Sequence, residues 1–251
     1  MEDVLTELPP PSRFFNEDLN NFASPSPPLP LPFGVLQAAR RNPDLLVVAF
    51  SAPSVFLFHH ASPKSLVGTL VLPETSFSAN SITPSLRDNS CNIYALDGTH
   101  SILVAAVQYR VPPDRSHALA RCLINEIRPE KVLILDSIQR PNFRGRLSVD
   151  DNVVYKLETS EQRMCSGCPL VKNLEYFPSG SVIDGPGAAI LARCQIEKIK
   201  GTLCVSWPDI DSSAISLLKV LLKDVLPNTK FGATAELFHV RDARTDSVLY
   251  T

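Results

Sequence analysis

Three carboxylates stand where an α/β protein could use them. Asp136 ends the apolar run Lys131–Asp136 (KVLILD), and Asp209 and Asp211 follow a second run, Thr202–Trp207 (TLCVSW). In open α/β sheets, ligands gather at the carboxyl ends of strands. Carboxyl groups there can do acid–base work once burial shifts their pKa. Asp is equally a common helix cap and turn residue, and Asp211 fits an N-cap without any chemistry. A second candidate is Cys165-Ser166-Gly167-Cys168, a CxxC. Structural zinc wants four ligands, and the sequence offers neither a second CxxC nor a spaced His pair. A thioredoxin-like pair would open a helix directly after a strand. Cys165 instead follows the polar stretch Glu158–Arg163, so the pair reads as loop cysteines. Cys91, Cys122, Cys194 and Cys204 sit singly in apolar segments and read as small core residues.

Other signatures fall short. A nucleophile elbow (GxSxG), a phosphate loop (GxxxxGK[ST]) and a dinucleotide fingerprint (GxGxxG) do not occur. Gly185-Pro186-Gly187 places two glycines before a helix, which could hold an anion at its N-terminus. Asp184 beside it would repel one. No metal or cofactor is expected. The ending Ser247-Val248-Leu249-Tyr250-Thr251 carries a different chemistry. Leu249, Tyr250 and Thr251 make a hydrophobic-Tyr-any tripeptide with a terminal carboxylate. Such a tail can dock in a pocket that supplies a lysine. Tyr contributes apolar area and a hydroxyl at low rotamer cost, and a charge-assisted hydrogen bond to the carboxylate adds about 1.5–3 kcal/mol. That is weak binding by itself, so a second contact from the folded body would have to raise the effective concentration.

The elements that must position these residues follow from apolar patterning. Leu45–Phe50 and Lys131–Asp136 are short continuous apolar runs, which predict buried strands. Ser65–Leu72 reads as another strand, and Val153–Leu157 as a further one. Asn92–Leu96 and Ser101–Arg110 flank Asp97-Gly98, a hairpin signal. Pro112-Pro113-Asp114 starts a helix whose Leu119, Cys122, Leu123 and Ile127 share one face, and Pro129 ends it. A helix over Ala188–Ile199 follows Gly185-Pro186-Gly187, with Gly201 as its C-cap. The last helix begins at caps within Asp209–Ser213. It carries Ile215, Leu218, Leu221, Leu222 and Val225, and stops at Pro227. Ser54–His60 and Thr234–Val240 are too short and ambiguous to assign.

The expected fold is α/β: a single domain (residues 34–238) with a mixed β-sheet sandwiched between helical layers. Residues 1–33 precede it as a Pro-rich arm. Eight of the chain's 22 prolines fall there, and Ser24–Pro32 reads SPSPPLPLP, so the arm is expected to be extended or disordered. Phe14, Phe15 and Phe22 could anchor it on its own domain. Residues 239–251 follow as a flexible tail, long enough to span about 40 Å at full extension.

Composition excludes several classes. In 251 residues, Lys+Arg 24 against Asp+Glu 26 gives a formal net charge of -2, which argues against a basic nucleic-acid footprint. The apolar runs fall well short of the ~20 residues that span a bilayer. The opening Met1-Glu2-Asp3 is unlike a signal peptide. Six cysteines are too few for a disulfide scaffold. The expectation is a cytoplasmic protein that could also enter the nucleus, with no membrane or nucleic-acid partner.

Three stretches carry a family likeness: Lys131–Gly145 (KVLILDSIQRPNFRG), Gly185–Trp207 (GPGAAILARCQIEKIKGTLCVSW) and the ending Leu249-Tyr250-Thr251. With them, from about Leu45 onward, the chain resembles the proteasome assembly chaperone 1 family. The CxxC and the proline arm lie outside that likeness. The resemblance implies a non-catalytic protein that pairs with a related second chaperone as a heterodimer. The pair would bind α-type subunits of the 20S proteasome, promote α-ring assembly and prevent off-pathway ring dimers. On this likeness Leu249 supplies apolar contact, Tyr250 fills a pocket between α subunits, and the terminal carboxylate of Thr251 meets a lysine. Two other readings stay open: a phosphorylase-like or hydrolase-like α/β enzyme using the strand-end carboxylates, and an adaptor recruited through the Pro-rich arm.

Overall fold

The computed structural model describes residues 29–36, 42–76, 80–81, 83–96, 101–148, 150–165, 169–209 and 212–232. Nine strands form one mixed sheet. In chain order they are β1 (Phe33–Leu36), β2 (Leu45–Ala49), β4 (Ser65–Val71), β5 (Cys91–Ala95), β6 (Ile102–Val107), β7 (Lys131–Ser137), β8 (Val153–Glu158), β9 (Glu175–Tyr176) and β10 (Lys200–Trp207). Two short strands, β3 (Ala61–Ser62) and β11 (Lys230–Phe231), pair separately. The order across the large sheet is β1-β4-β5-β6-β2-β7-β10-β8-β9.

The parallel centre explains the apolar runs. β6, β2, β7 and β10 run parallel side by side. Every residue of β2 is buried, as are Val132–Leu135 of β7. A strand covered on both faces needs apolar side chains at every position, not alternate ones. The flanks are antiparallel, through β1–β4, β4–β5 and β5–β6 on one side and β10–β8 on the other. Asp97-Gly98 lies outside the described residues, but β5 and β6 pair in the antiparallel register that a hairpin there requires.

Helices cover both faces, as the mixed-sheet expectation has it. They are α1 (Ala52–His59), α2 (Ser116–Ile127), α3 (Ser160–Met164), α4 (Gly185–Ile196) and α5 (Ser212–Val225). On one face α2 and α4 pack over Leu46, Val48, Ile134 and Val205. On the other, α1 and α5 pack over Val47, Leu133, Leu135 and Cys204. The buried stripes follow the sequence: Leu119, Leu123, Ile124 and Ile127 in α2, and Ile215, Leu218, Leu221 and Leu222 in α5. A 3-10 turn over Pro113–Arg115 leads into α2. Arg128, at φ 51, ends it, with its N–H donating to the Ile124 carbonyl.

Three sequence assignments change. Ser54–His60, unassigned from sequence, belongs to α1. Its residues Pro53–Phe58 are all buried, so no apolar stripe marks it. The helix expected over Ala188–Ile199 starts at Gly185 and ends at Ile196. Gly201 is not its cap: it sits inside β10, and the chain turns at Lys198, whose φ is 57. The polar stretch Glu158–Arg163 closes β8 and forms most of α3, with Thr159 accepting at the N-cap from the Gln162 N–H.

Candidate functional site

The carboxyl ends of the parallel strands open into a cleft of about 360 Å³. Phe50 follows β2, Tyr109 and Arg110 follow β6, Asp136 and Gln139 come from the end of β7, and Asp184 precedes α4; all line it. This is the sheet position where ligands gather in α/β proteins.

Asp136 is one of the carboxylates lining the cleft. It shares the β7 face of Val132 and Ile134, on the side covered by α4, because side chains alternate along a strand. The Ser137 N–H donates to Asp136 Oδ1 at 2.9 Å, and the Gly187 N–H donates to the same carboxylate. Burial pushes the Asp136 pKa up from 3.8 to about 7, and the charges of Asp209 and Asp184 push the same way. The two backbone N–H groups oppose that rise.

Gly187 explains how the contact is reached. A Cβ there would lie 2.4 Å from Asp136 Oδ2, so only glycine lets the first turn of α4 close on the carboxylate. Asp184, the N-cap residue, makes no side-chain cap of its own. Asp136 therefore caps α4 from a neighbouring strand. Helix N-terminal N–H groups need an acceptor, and here an in-chain carboxylate takes the place that an exogenous anion would occupy. The sequence argument against phosphate at Gly185-Pro186-Gly187 thus has a second cause beyond the charge of Asp184.

Of the strand-end carboxylates read from sequence, Asp136 and Asp209 come within electrostatic reach of each other. Asp211 lies outside the described residues, as do Leu249, Tyr250 and Thr251. Asp184 joins the group although the sequence offered it only as a repelling neighbour. Arg110 and Gln139 carried no sequence signal, because the turns after separate strands bring them together. Cys91, Cys194 and Cys204 are buried, with thiols pushed up to about 12 by burial, and Cys122 is half-buried and pushed up to about 11. They are core residues, as read. Cys165 is a partly buried free thiol directly after α3, and Cys168 lies outside the described residues. Among the described residues, no group of three or more His, Cys, Asp or Glu could hold a metal ion, and no helix is long and apolar enough to cross a membrane.

No family model matches the chain, and no curated protein sequence matches it either. Solved structures do. Pyrococcus furiosus PbaA, described as an archaeal homologue of proteasome-assembly chaperone, superimposes at a TM-score of 0.59 with 16% identity, over 88% of this chain and 90% of that one. The chain has the fold of a proteasome-assembly chaperone homologue. Pyrococcus furiosus PbaB, described as an archaeal proteasome activator, shares this proteasome-assembly-chaperone fold at a TM-score of 0.56 and 13% identity, over 87% of this chain and 97% of that one. So does a Thermoplasma acidophilum protein of unknown function, at 0.57 and 15%, over 84% and 87%. At these identities the likeness is one of fold.

Proposed function

We propose that this chain is a proteasome assembly chaperone that acts by binding and catalyses nothing. The observation that carries the reading is the shared fold with the archaeal proteasome-assembly chaperone homologue over nearly the whole of both chains. The three stretches of family likeness add support, and two of them, Lys131–Gly145 and Gly185–Trp207, contribute Asp136, Gln139, Gly185 and Pro186 to the cleft. In this reading the chain pairs with a related second chaperone, in the cytoplasm. The pair binds α-type subunits of the 20S proteasome, promotes α-ring assembly and prevents ring dimers. Leu249 supplies apolar contact, Tyr250 fills a pocket between neighbouring α subunits, and the carboxylate of Thr251 pairs with a lysine there.

The test is capture from cell extract with the affinity tag on the N-terminus, comparing the intact chain with one ending at Val248. Recovery of α subunits and one related chaperone by the intact chain, with α subunits depleted by the truncation, is the expected result. Recovery of neither partner overturns the reading.

The enzyme alternative draws on the near-neutral pKa of Asp136 beside Asp209 and Asp184. The helix-capping contact accounts for Asp136 without a substrate. Replacing Asp136, Asp209 and Asp211 by Asn leaves α-subunit capture intact if the chaperone reading holds. A small-molecule turnover abolished in those variants would favour the enzyme.

A further inference from the structure

We propose that the loop between β7 and β8 is a rigid arginine platform that docks an acidic segment of a partner polypeptide. Three arginines, Arg140, Arg144 and Arg146, lie within seven residues and are all exposed. Among the described residues none of them lies within 4.0 Å of a carboxylate.

Exposed arginines are ordinary; a fixed scaffold beneath them is not. The Phe143 ring stacks on Tyr155 at 5.9 Å and leans on Phe177 at 5.7 Å. The Val182 N–H donates to the Asn142 carbonyl at 2.9 Å, and the Arg144 N–H to Ser181 Oγ at 2.8 Å. Arg140 donates to the Leu147 carbonyl at 3.0 Å with its guanidinium 5.7 Å from the Trp207 ring centre. The Trp207 indole N–H in turn holds the Ser148 carbonyl at 2.7 Å. The Arg144 side chain lies over Gly180, where a Cβ would meet its Nη1 at 2.7 Å. A planar guanidinium on an ordered base loses little further entropy when it binds a carboxylate.

The shape selects the occupant. A hollow of about 400 Å³ has Arg140 and Arg146 on its rim and Phe143 and Leu147 in its wall. Paired guanidiniums beside apolar surface suit a carboxylate side chain with an apolar neighbour. Asp150 and Asp151 in the same loop and Asp184 beside it repel a densely charged polyphosphate more than a segment with well-spaced single carboxylates. This inference rests on the proposed function only for the partner's identity, where the loop would be the body contact that a weakly binding tail needs.

The experiment uses the full chain and a fluorescein-labelled peptide of alternating Glu and Leu at low ionic strength, read by anisotropy. The same peptide with Lys for Glu and a short DNA duplex are run beside it. The expected result is saturable binding of the Glu peptide alone, lost on adding salt and at least about tenfold weaker in Arg144→Glu/Arg146→Glu. Arg144→Gln/Arg146→Gln, with an unchanged melting temperature, gives a smaller loss in the same direction. Binding unaffected by either pair of substitutions, no saturable binding, or tighter binding of the duplex overturns the proposal. Both pairs are then carried into the extract capture with the tail intact. Failure of the wild type to recover α subunits counts against the proposed function alone, because the peptide result does not depend on it.

Discussion

Asp136 and the arginines of the following loop are only a few residues apart, yet the fold treats their charges in opposite ways. Asp136 is drawn under α4, and its hydrogen bonds come from backbone N–H groups of the same chain. Arg140 lies over the Trp207 ring and Arg144 over Gly180, and with Arg146 they are exposed, with no carboxylate within 4.0 Å among the described residues. A half-buried carboxyl group whose hydrogen bonds come from its own chain is a structural part, and its altered pKa reports its surroundings. Charges that are ordered but unpaired have their interaction capacity still open. A perturbed titration therefore points to function only when its partners fail to account for it.

The sharpest way to break this contrast is to disturb the cap. Gly187→Ala drives a Cβ into Asp136 Oδ2 and is expected to destabilise the fold by about 2–3 kcal/mol in urea unfolding. Asp136→Ala in the same chain should recover much of that loss, and strictly additive effects would show that the two residues do not meet. Next comes the charge itself. The folded pKa of Asp136 lies above its ordinary value, at about 7 against 3.8, so the folded state holds a proton that the unfolded state releases. The stability this contributes is complete below about pH 4 and is lost as pH rises to about 7. Asp136→Asn removes that loss, so its stability in urea unfolding relative to wild type should climb over this range, reaching a gain of up to about 4 kcal/mol at pH 8. A flat difference across pH would mean that Asp136 is ionised throughout.

Smaller effects are expected in the loop. Phe143→Leu should cost about 1 kcal/mol by removing the ring contacts with Tyr155 and Phe177, and should weaken acidic-peptide binding although no arginine changes. Unaltered peptide affinity would show that the ordered base is irrelevant. Arg144→Ala with Arg146→Ala should shift stability by less than about 0.5 kcal/mol, since neither guanidinium has a described carboxylate partner. A larger loss in thermal melts would place them in the structural class with Asp136.

Elements were legible where burial was one-sided or complete over a strand. The stripes of α2 and α5 appear in sequence because each helix keeps a solvated face. β2, β7 and β10 are legible as unbroken apolar runs because helices cover both sides of the sheet. α1 was not legible: eight residues with Pro53–Phe58 wholly buried show no period. Gly201 misled because a glycine after a helix suits a cap and a strand entry equally, and the choice fell to Lys198.

The sequence by itself determined the α/β class, the central strands, the core role of four cysteines and the presence of carboxylates at strand ends. Each of these depends on residue type and local spacing, which burial acts on directly. Tertiary structure alone decided what the strand-end carboxylate does. Asp136 and Gly187 are far apart in the chain, and their contact exists only because α4 packs beside β7 with its first turn against the strand end. The same holds for the arginine loop, whose base is assembled from β8, the turn after β9 and the end of β10. Contacts between distant segments leave no periodic trace, because each segment's pattern records only how much of it is buried and not against what.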